Sequence, residues 1–213
     1  MRLYLASYAK DTINEIIKNE KIDPKGKTAI FIPTAGDPND NKDFVEADKK
    51  ALLDAGFEVT ELDIKKGTKK LKILAPDTDL ILVAGGDTFY LIDYLKKTGA
   101  DKILQEYVSN GGLYVGSSAG SIICCPTIEG AVEFDNPNLA PDLEDYTGLN
   151  IFPDVIIPHA HKEKYFERIN RASAKLNQKY RVYHLTDDEV LFYDGKNAEV
   201  FKNPSHKLQP PQR

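Results

Sequence analysis

Residues 80–89 read LILVAGGDTF. The first five are apolar without alternation, as in a strand covered by helices on both faces of a parallel sheet. Gly85-Gly86-Asp87 breaks the run, and Phe89, Ile92 and Leu95 then recur at helical spacing up to Gly99. The unit strand, glycine turn, helix repeats on both sides of this stretch. Arg2 to Ser7 reads as a first strand, followed by Ile13, Ile16 and Ile17 on one helix face. Lys27 to Pro33 (KTAIFIP) is a near-continuous apolar strand. Phe44, Val45, Ala47, Ala51, Leu52 and Ala55 form a helix stripe that stops at Gly56, and Glu58 to Ile64 alternates like a strand. A helix over 101–109 leads into a strand at Leu113 to Gly116. The pattern predicts an α/β fold, a three-layer α/β/α sandwich around a mostly parallel sheet.

Residues 126–150 interrupt the rhythm. They are rich in proline and acids and poor in aliphatics, and read as a long surface loop with room for a hairpin; long loops in compact domains are often functional. Beyond them lie an apolar strand, Val155 to Pro158 (VIIP), and a helix over 163–177. Strands follow near Arg181–Leu185, Val190–Tyr193 and Glu199–Phe201, the last two joined as a hairpin through Asp194-Gly195-Lys196. There is no repeat and no linker, so one domain is expected over 1–201, with 202–213 (KNPSHKLQPPQR) as a flexible tail.

Composition excludes several classes. The 213 residues are 41% hydrophobic and 29% charged with a net charge of −5, an ordinary globular balance without the basic excess of a nucleic-acid binder. The lysine cluster at 69–72 reads as a solvated helix face. No stretch approaches the roughly 20 apolar residues of a membrane helix. The N-terminal apolar stretch is too short for a signal-peptide core. The two cysteines, Cys124 and Cys125, are adjacent, and neighbours rarely bridge each other. A reduced, cytoplasmic protein is expected.

The chemistry concentrates at GGLYVGSSAGSII, residues 111–123. Gly116-Ser117-Ser118-Ala119-Gly120 fits the G-x-S-x-G nucleophile elbow, with a strand before it and a helix pattern after it. A serine on such a turn projects its hydroxyl clear of the sheet, and the Ala119 amide beside it can stabilise an oxyanion. The plainer alternative is a tight turn with Ser118 as helix N-cap. The Gly85-Gly86 turn lacks both phosphate-loop patterns. It reads either as a second oxyanion donor beside the elbow or as helix packing with Asp87 as N-cap.

A nucleophilic serine needs a base. The chain has four histidines: His159, His161, His184 and His206. His206 lies in the tail and His184 inside a strand. His159 ends the VIIP strand, where parallel sheets place their sites, and His161 shares its neighbourhood. His159-x-His161 as a metal pair lacks a third ligand, so no metal is expected. The acids that could orient the histidine are Glu129, Glu133, Asp135, Asp142, Glu144 and Asp145; residue type and position leave them open.

Several motifs together resemble the peptidase E family, serine dipeptidases related to cyanophycinase. LVAGGDTF at 82–89 is similar to that family's GG[ND]TF segment, and 116–120 to its G-x-S-A-G. Cys125-Pro126-Thr127-Ile128, Leu149-Asn150-Ile151-Phe152-Pro153 and the pair Pro158-His159 follow in the family's order. The resemblance runs from the first strand to about residue 201 and implies a sheet like that of class I glutamine amidotransferases, which carry cysteine at the elbow where this chain has serine. It implies Ser118 as nucleophile, His159 as base, the amides of Gly86 and Ala119 as oxyanion hole, and no cofactor. The family's aspartyl dipeptidases place an acid fifteen residues after the serine, here Glu133, with Asp135 as the alternative. Their substrate-binding arginine falls near Tyr165, while Arg168 matches a later arginine, a departure that argues against Asp-X specificity. The expected function is a serine exopeptidase acting on small peptides, as monomer or homodimer. The competing readings are an α/β-hydrolase esterase and a non-catalytic amidotransferase-like binding domain.

Overall fold

A computed structural model describes residues 1–204. The chain runs through β1 (Arg2–Ala6), α1 (Ala9–Glu20), β2 (Thr28–Ile32), α2 (Asp43–Ala55), β3 (Glu58–Glu61), α3 (Lys69–Leu74), β4 (Leu80–Val83), α4 (Thr88–Thr98), α5 (Ala100–Ser109), β5 (Leu113–Ser117) and α6 (Ala119–Ile122). It ends with β6 (Val155–Ile157), α7 (Phe166–Leu176), β7 (Val182–His184), β8 (Glu189–Tyr193) and β9 (Ala198–Lys202). Seven strands form one sheet in the order β3-β2-β4-β5-β1-β8-β9. The first five are parallel to their neighbours, and the β8–β9 hairpin adds antiparallel strands beside β1.

Side chains that alternate along each strand fill two separate cores. From β1, Leu3 and Leu5 point to one face, and Tyr4 and Ala6 to the other. The first face packs Phe89, Ile92 and Leu95 of α4, Leu104 of α5 and Ile169 of α7; the second packs Ile13 and Ile16 of α1 and Leu52 of α2. Two buried faces make three layers, as the unbroken apolar strands predict. Each such leucine or isoleucine contributes about 1.5–3 kcal/mol by leaving water.

The structure departs from expectation in four places. Residues 126–150 are not simply surface: Ile128, Ala131, Ala140 and Leu149 are buried. Their backbone is tied down by a Thr127–Thr147 bridge and by amides of Leu149 to Phe152 donating to the carbonyls of Ile123, Cys124 and Cys125. The helix pattern after the elbow would place both cysteines inside the helix, but α6 stops after one turn, as Pro126 has no N–H to continue it, and Cys124 and Cys125 lie beyond it, buried and unbridged. The VIIP strand does not join the main sheet; β6 pairs with β7 in a separate parallel pair. Finally, Lys202 completes β9, and Asn203 donates from its amide nitrogen to Asp188 O and from its side chain to Asp11 O. The rest of the predicted tail, 205–213 with His206, lies outside the described residues. Within the described residues no helix is long and apolar enough to cross a membrane.

Candidate active site

Three central strands, β4, β5 and β1, end side by side, and each delivers one part of the site beyond its C-terminal end. After β5 comes the elbow. Ser118 holds φ 48° and ψ −107°, a conformation that costs a non-glycine residue about 1–3 kcal/mol. Neighbouring bonds over-determine it: Ser118 N and Ser121 Oγ both donate to Ala6 O, at 3.0 and 2.8 Å. The flanking glycines are required by space. A Cβ on Gly120 would run into the Val83 carbonyl, and one on Gly116 into the Gly120 carbonyl. Ser117 is structural, its Oγ accepting from Ala9 N at 3.1 Å at the start of α1.

After β4 comes the second glycine turn. Gly86 has φ 140°, and a Cβ there would strike the Ala35 carbonyl. Gly85 passes so close that its Cβ would sit 3.2 Å from Ser118 Cβ. The turn therefore lies against the elbow. Asp87 also caps α4, its Oδ1 accepting from Tyr90 N at 2.9 Å, so the turn packs the helix as well as lying beside the elbow.

Ser118 Oγ is 3.1 Å from Nε2 of His159. His159 follows β6 with φ 60°, a second strained position. Its Nδ1 is hydrogen-bonded to Asp187 Oδ1. A carboxylate on Nδ1 fixes the tautomer with the proton on that nitrogen and leaves Nε2 free to accept from the serine. Glu133 and Asp135, the predicted acids, are both elsewhere. Glu133 accepts from Arg171 Nε at 2.8 Å on α7. Asp135 accepts from Thr88 N at 3.0 Å, and Asp87 in return accepts from Asn136 N at 2.9 Å. The loop carrying both acids folds onto α4 and α7, away from Nδ1. Asp187 arrives instead from the turn between β7 and β8.

Asp187 is surrounded by donors. Ser7, fully buried at the end of β1, donates to its Oδ1 at 2.9 Å and accepts from His159 N at 2.8 Å. Lys162 Nζ lies 2.9 Å from its Oδ2, and His161 Nε2 lies 3.7 Å from the same atom. Burial by itself would raise the Asp187 pKa. The hydrogen bond and charge of His159, then those of Lys162, outweigh burial and hold the carboxyl well below the ordinary range. Asp135 goes the other way: burial lifts it to about 6, the Thr88 bond pulls against that, and neighbouring Asp87 adds to the rise.

A cavity of about 330 Å³ opens in front of Ser118. Ser7, Gly86, His159, Asp135 and Tyr165 are among its lining residues. Arg168 is exposed on α7 and is not among them. His184 meets Ser173 of α7 at 2.8 Å, a separate contact. Among the described residues no group of three His, Cys, Asp or Glu is placed to hold a metal ion.

Asp187 and Ser7 were missed by the sequence reading. The signal for Asp187 was an acidic turn, Asp187-Asp188, between two strand patterns, just where a late strand ends. For Ser7 a lone serine at a strand end gives no signal.

The profile of peptidase family S51 matches residues 4–201. An uncharacterized peptidase of Listeria monocytogenes is 35% identical over 197 residues, covering 92% of this chain and 96% of its own. Peptidase E of a Nostoc species is 33% identical over 133 residues, 62% of this chain and 52% of its own. A crystal structure of a Listeria monocytogenes protein, reported as a peptidase E candidate, superposes with a TM-score of 0.86 at 34% identity, covering 94% of this chain and 98% of the other. A chain matched over nearly its whole length, with a serine on an elbow facing a histidine, belongs to peptidase family S51, the peptidase E family of serine peptidases.

Proposed function

We propose that this enzyme is a serine exopeptidase, a dipeptidase, working through Ser118, His159 and Asp187. One observation carries the reading: the chain of contacts from Ser118 Oγ to His159 Nε2 and from His159 Nδ1 to Asp187. Ser118 Oγ attacks the scissile carbonyl carbon while His159 Nε2 takes its proton. The negative charge on the former carbonyl oxygen falls to the amides of Gly86 and Ala119, the latter the first residue of α6, where backbone amides point out of the helix. The C–N bond then breaks, and the imidazolium gives its proton to the departing amine. Water attacks the resulting ester, passing a proton to His159, and the Ser118 oxygen leaves and is reprotonated. Asp187 stays ionised throughout and stabilises the imidazolium.

The small cavity suits a short peptide, at the low end of ligand pockets. The esterase alternative loses ground because α/β-hydrolases run serine, acid, histidine, while here the acid follows the histidine. A reducing compartment such as the cytoplasm fits two buried, unbridged cysteines. The test is a dipeptide-library digest with a serine-directed phosphonate as second readout. Wild type is expected to cleave and to be labelled at Ser118, and Ser118→Ala to lose at least about 10³-fold in turnover with its fold intact. Unchanged hydrolysis by Ser118→Ala refutes the assignment.

A further inference from the structure

The cavity has walls that the reacting groups do not account for. Tyr8, Phe44, Phe134 and Tyr165 line it together with Ser118 and His159. Phe134 and Tyr165 meet edge to face, centroids 5.8 Å apart and planes at 90°, so this wall is assembled before any substrate arrives. Asp135, whose carboxyl is not bound to His159, is also among the lining residues. One cationic side chain among the described lining residues faces it too, Lys162, which is already committed to Asp187.

Asp135 is anchored beside the proposed oxyanion hole. It bonds to Thr88 N, two residues after Gly86, and the returned bond from Asn136 N to Asp87 locks the loop there. That position has a chemical meaning. In a peptide whose N-terminal residue is acylated onto Ser118, the α-nitrogen lies about 2.5 Å from the attacked carbonyl carbon. The ammonium must therefore enter the same small cavity as the oxyanion donors. An ammonium taken out of water there is costly unless a carboxylate meets it.

We propose that the enzyme selects dipeptides with a free α-amino group and an apolar or aromatic N-terminal side chain, Asp135 holding the ammonium and the aromatic wall holding the side chain. The proposal rests on the serine-peptidase reading of Ser118 and His159. An incoming ammonium also relieves the crowding of Asp135 by burial and by Asp87, favouring its ionised form. An acidic N-terminal side chain meets the opposite situation: it brings a negative charge beside Asp135 and finds Lys162 already paired.

The experiment compares kcat/KM for Phe-Ala, Leu-Ala, Asp-Ala and N-acetyl-Phe-Ala, with phosphonate labelling of Ser118 alongside. Phe-Ala and Leu-Ala are expected to exceed Asp-Ala at least tenfold, and acetylation to lower kcat/KM at least 100-fold. Asp135→Asn should raise KM for Phe-Ala and collapse the preference over N-acetyl-Phe-Ala to within about threefold, which a merely structural defect would not do. Tyr165→Ala is the second variant, expected to narrow the ratio of Phe-Ala to Ala-Ala. Labelled enzyme that prefers Asp-Ala, or that cleaves the acetylated peptide equally well, overturns this proposal and leaves the catalytic reading standing. Enzyme that is neither labelled nor active on any peptide overturns both.

Discussion

Two acidic segments meet the same site in opposite ways. The turn at 186–188 places Asp187 among His159, Ser7 and Lys162, and these donors keep it charged. The loop at 126–150 places Asp135 at the edge of the same cavity with one backbone donor and a second carboxylate, Asp87, nearby, and its pKa rises to about 6. The residue type is identical. The count and charge of the donors decide which carboxylate is held ionised and which is pushed towards its protonated form.

The sharpest way to break this contrast is Asp187→Asn. The amide cannot carry the charge and can turn a donor towards Nδ1, favouring the wrong tautomer, so kcat should fall roughly 10³-fold in steady-state assays. A loss under tenfold would place the orienting acid elsewhere.

The next test is stability against pH, where the two acids have opposite signs. Asp187 has a depressed folded pKa, so its contribution is present above its ordinary value of 3.8 and disappears only as pH falls towards the folded value. Asp135 has a raised folded pKa, so ionising it costs stability as pH climbs from about 4 to about 6. Urea unfolding at pH 4 and pH 7 should show Asp135→Asn gaining on wild type as pH rises. It should show Asp187→Asn less stable than wild type at pH 7. The same pH dependence for both variants would erase the distinction.

Ser7→Ala probes how Asp187 is held. It removes a donor from the carboxylate and leaves the His159 amide without its acceptor. A kcat about tenfold lower, KM nearly unchanged, and a loss of about 1–3 kcal/mol on unfolding are expected. The smallest effect should come from Glu133→Gln. Its partner Arg171 is more than half exposed, so the pair contributes about 0–1 kcal/mol and turnover should stay within about twofold. A large activity loss there would return the loop to the catalytic machinery.

The contrast also marks how far the sequence could be read. LILVAGGDTF fixed a strand buried on two faces and a glycine turn into a helix, and that turn does lie against the elbow. Ser118 and His159 were legible because an elbow needs small neighbours at fixed offsets, and because a histidine at a strand end is rare in a chain with four. These are local constraints: sterics within five residues, or hydrophobic period within ten.

The carboxylate beside His159 was not local. Asp187 lies 28 residues beyond His159 and reaches it because β7 pairs with β6, a pairing no spacing rule specifies. Ser7 reaches across 152 residues to His159 because β1 occupies the centre of the sheet beside β5. Glu133 and Asp135 stood at attractive positions in the chain, yet ion pairing with Arg171 and the amide of Thr88 drew them aside. The sequence by itself determined the layers and the elbow and pointed to His159 at a strand end, since each follows from short-range sterics and periodicity. Tertiary structure alone decided which carboxylate meets His159, because that depends on which groups strand pairing gathers around it.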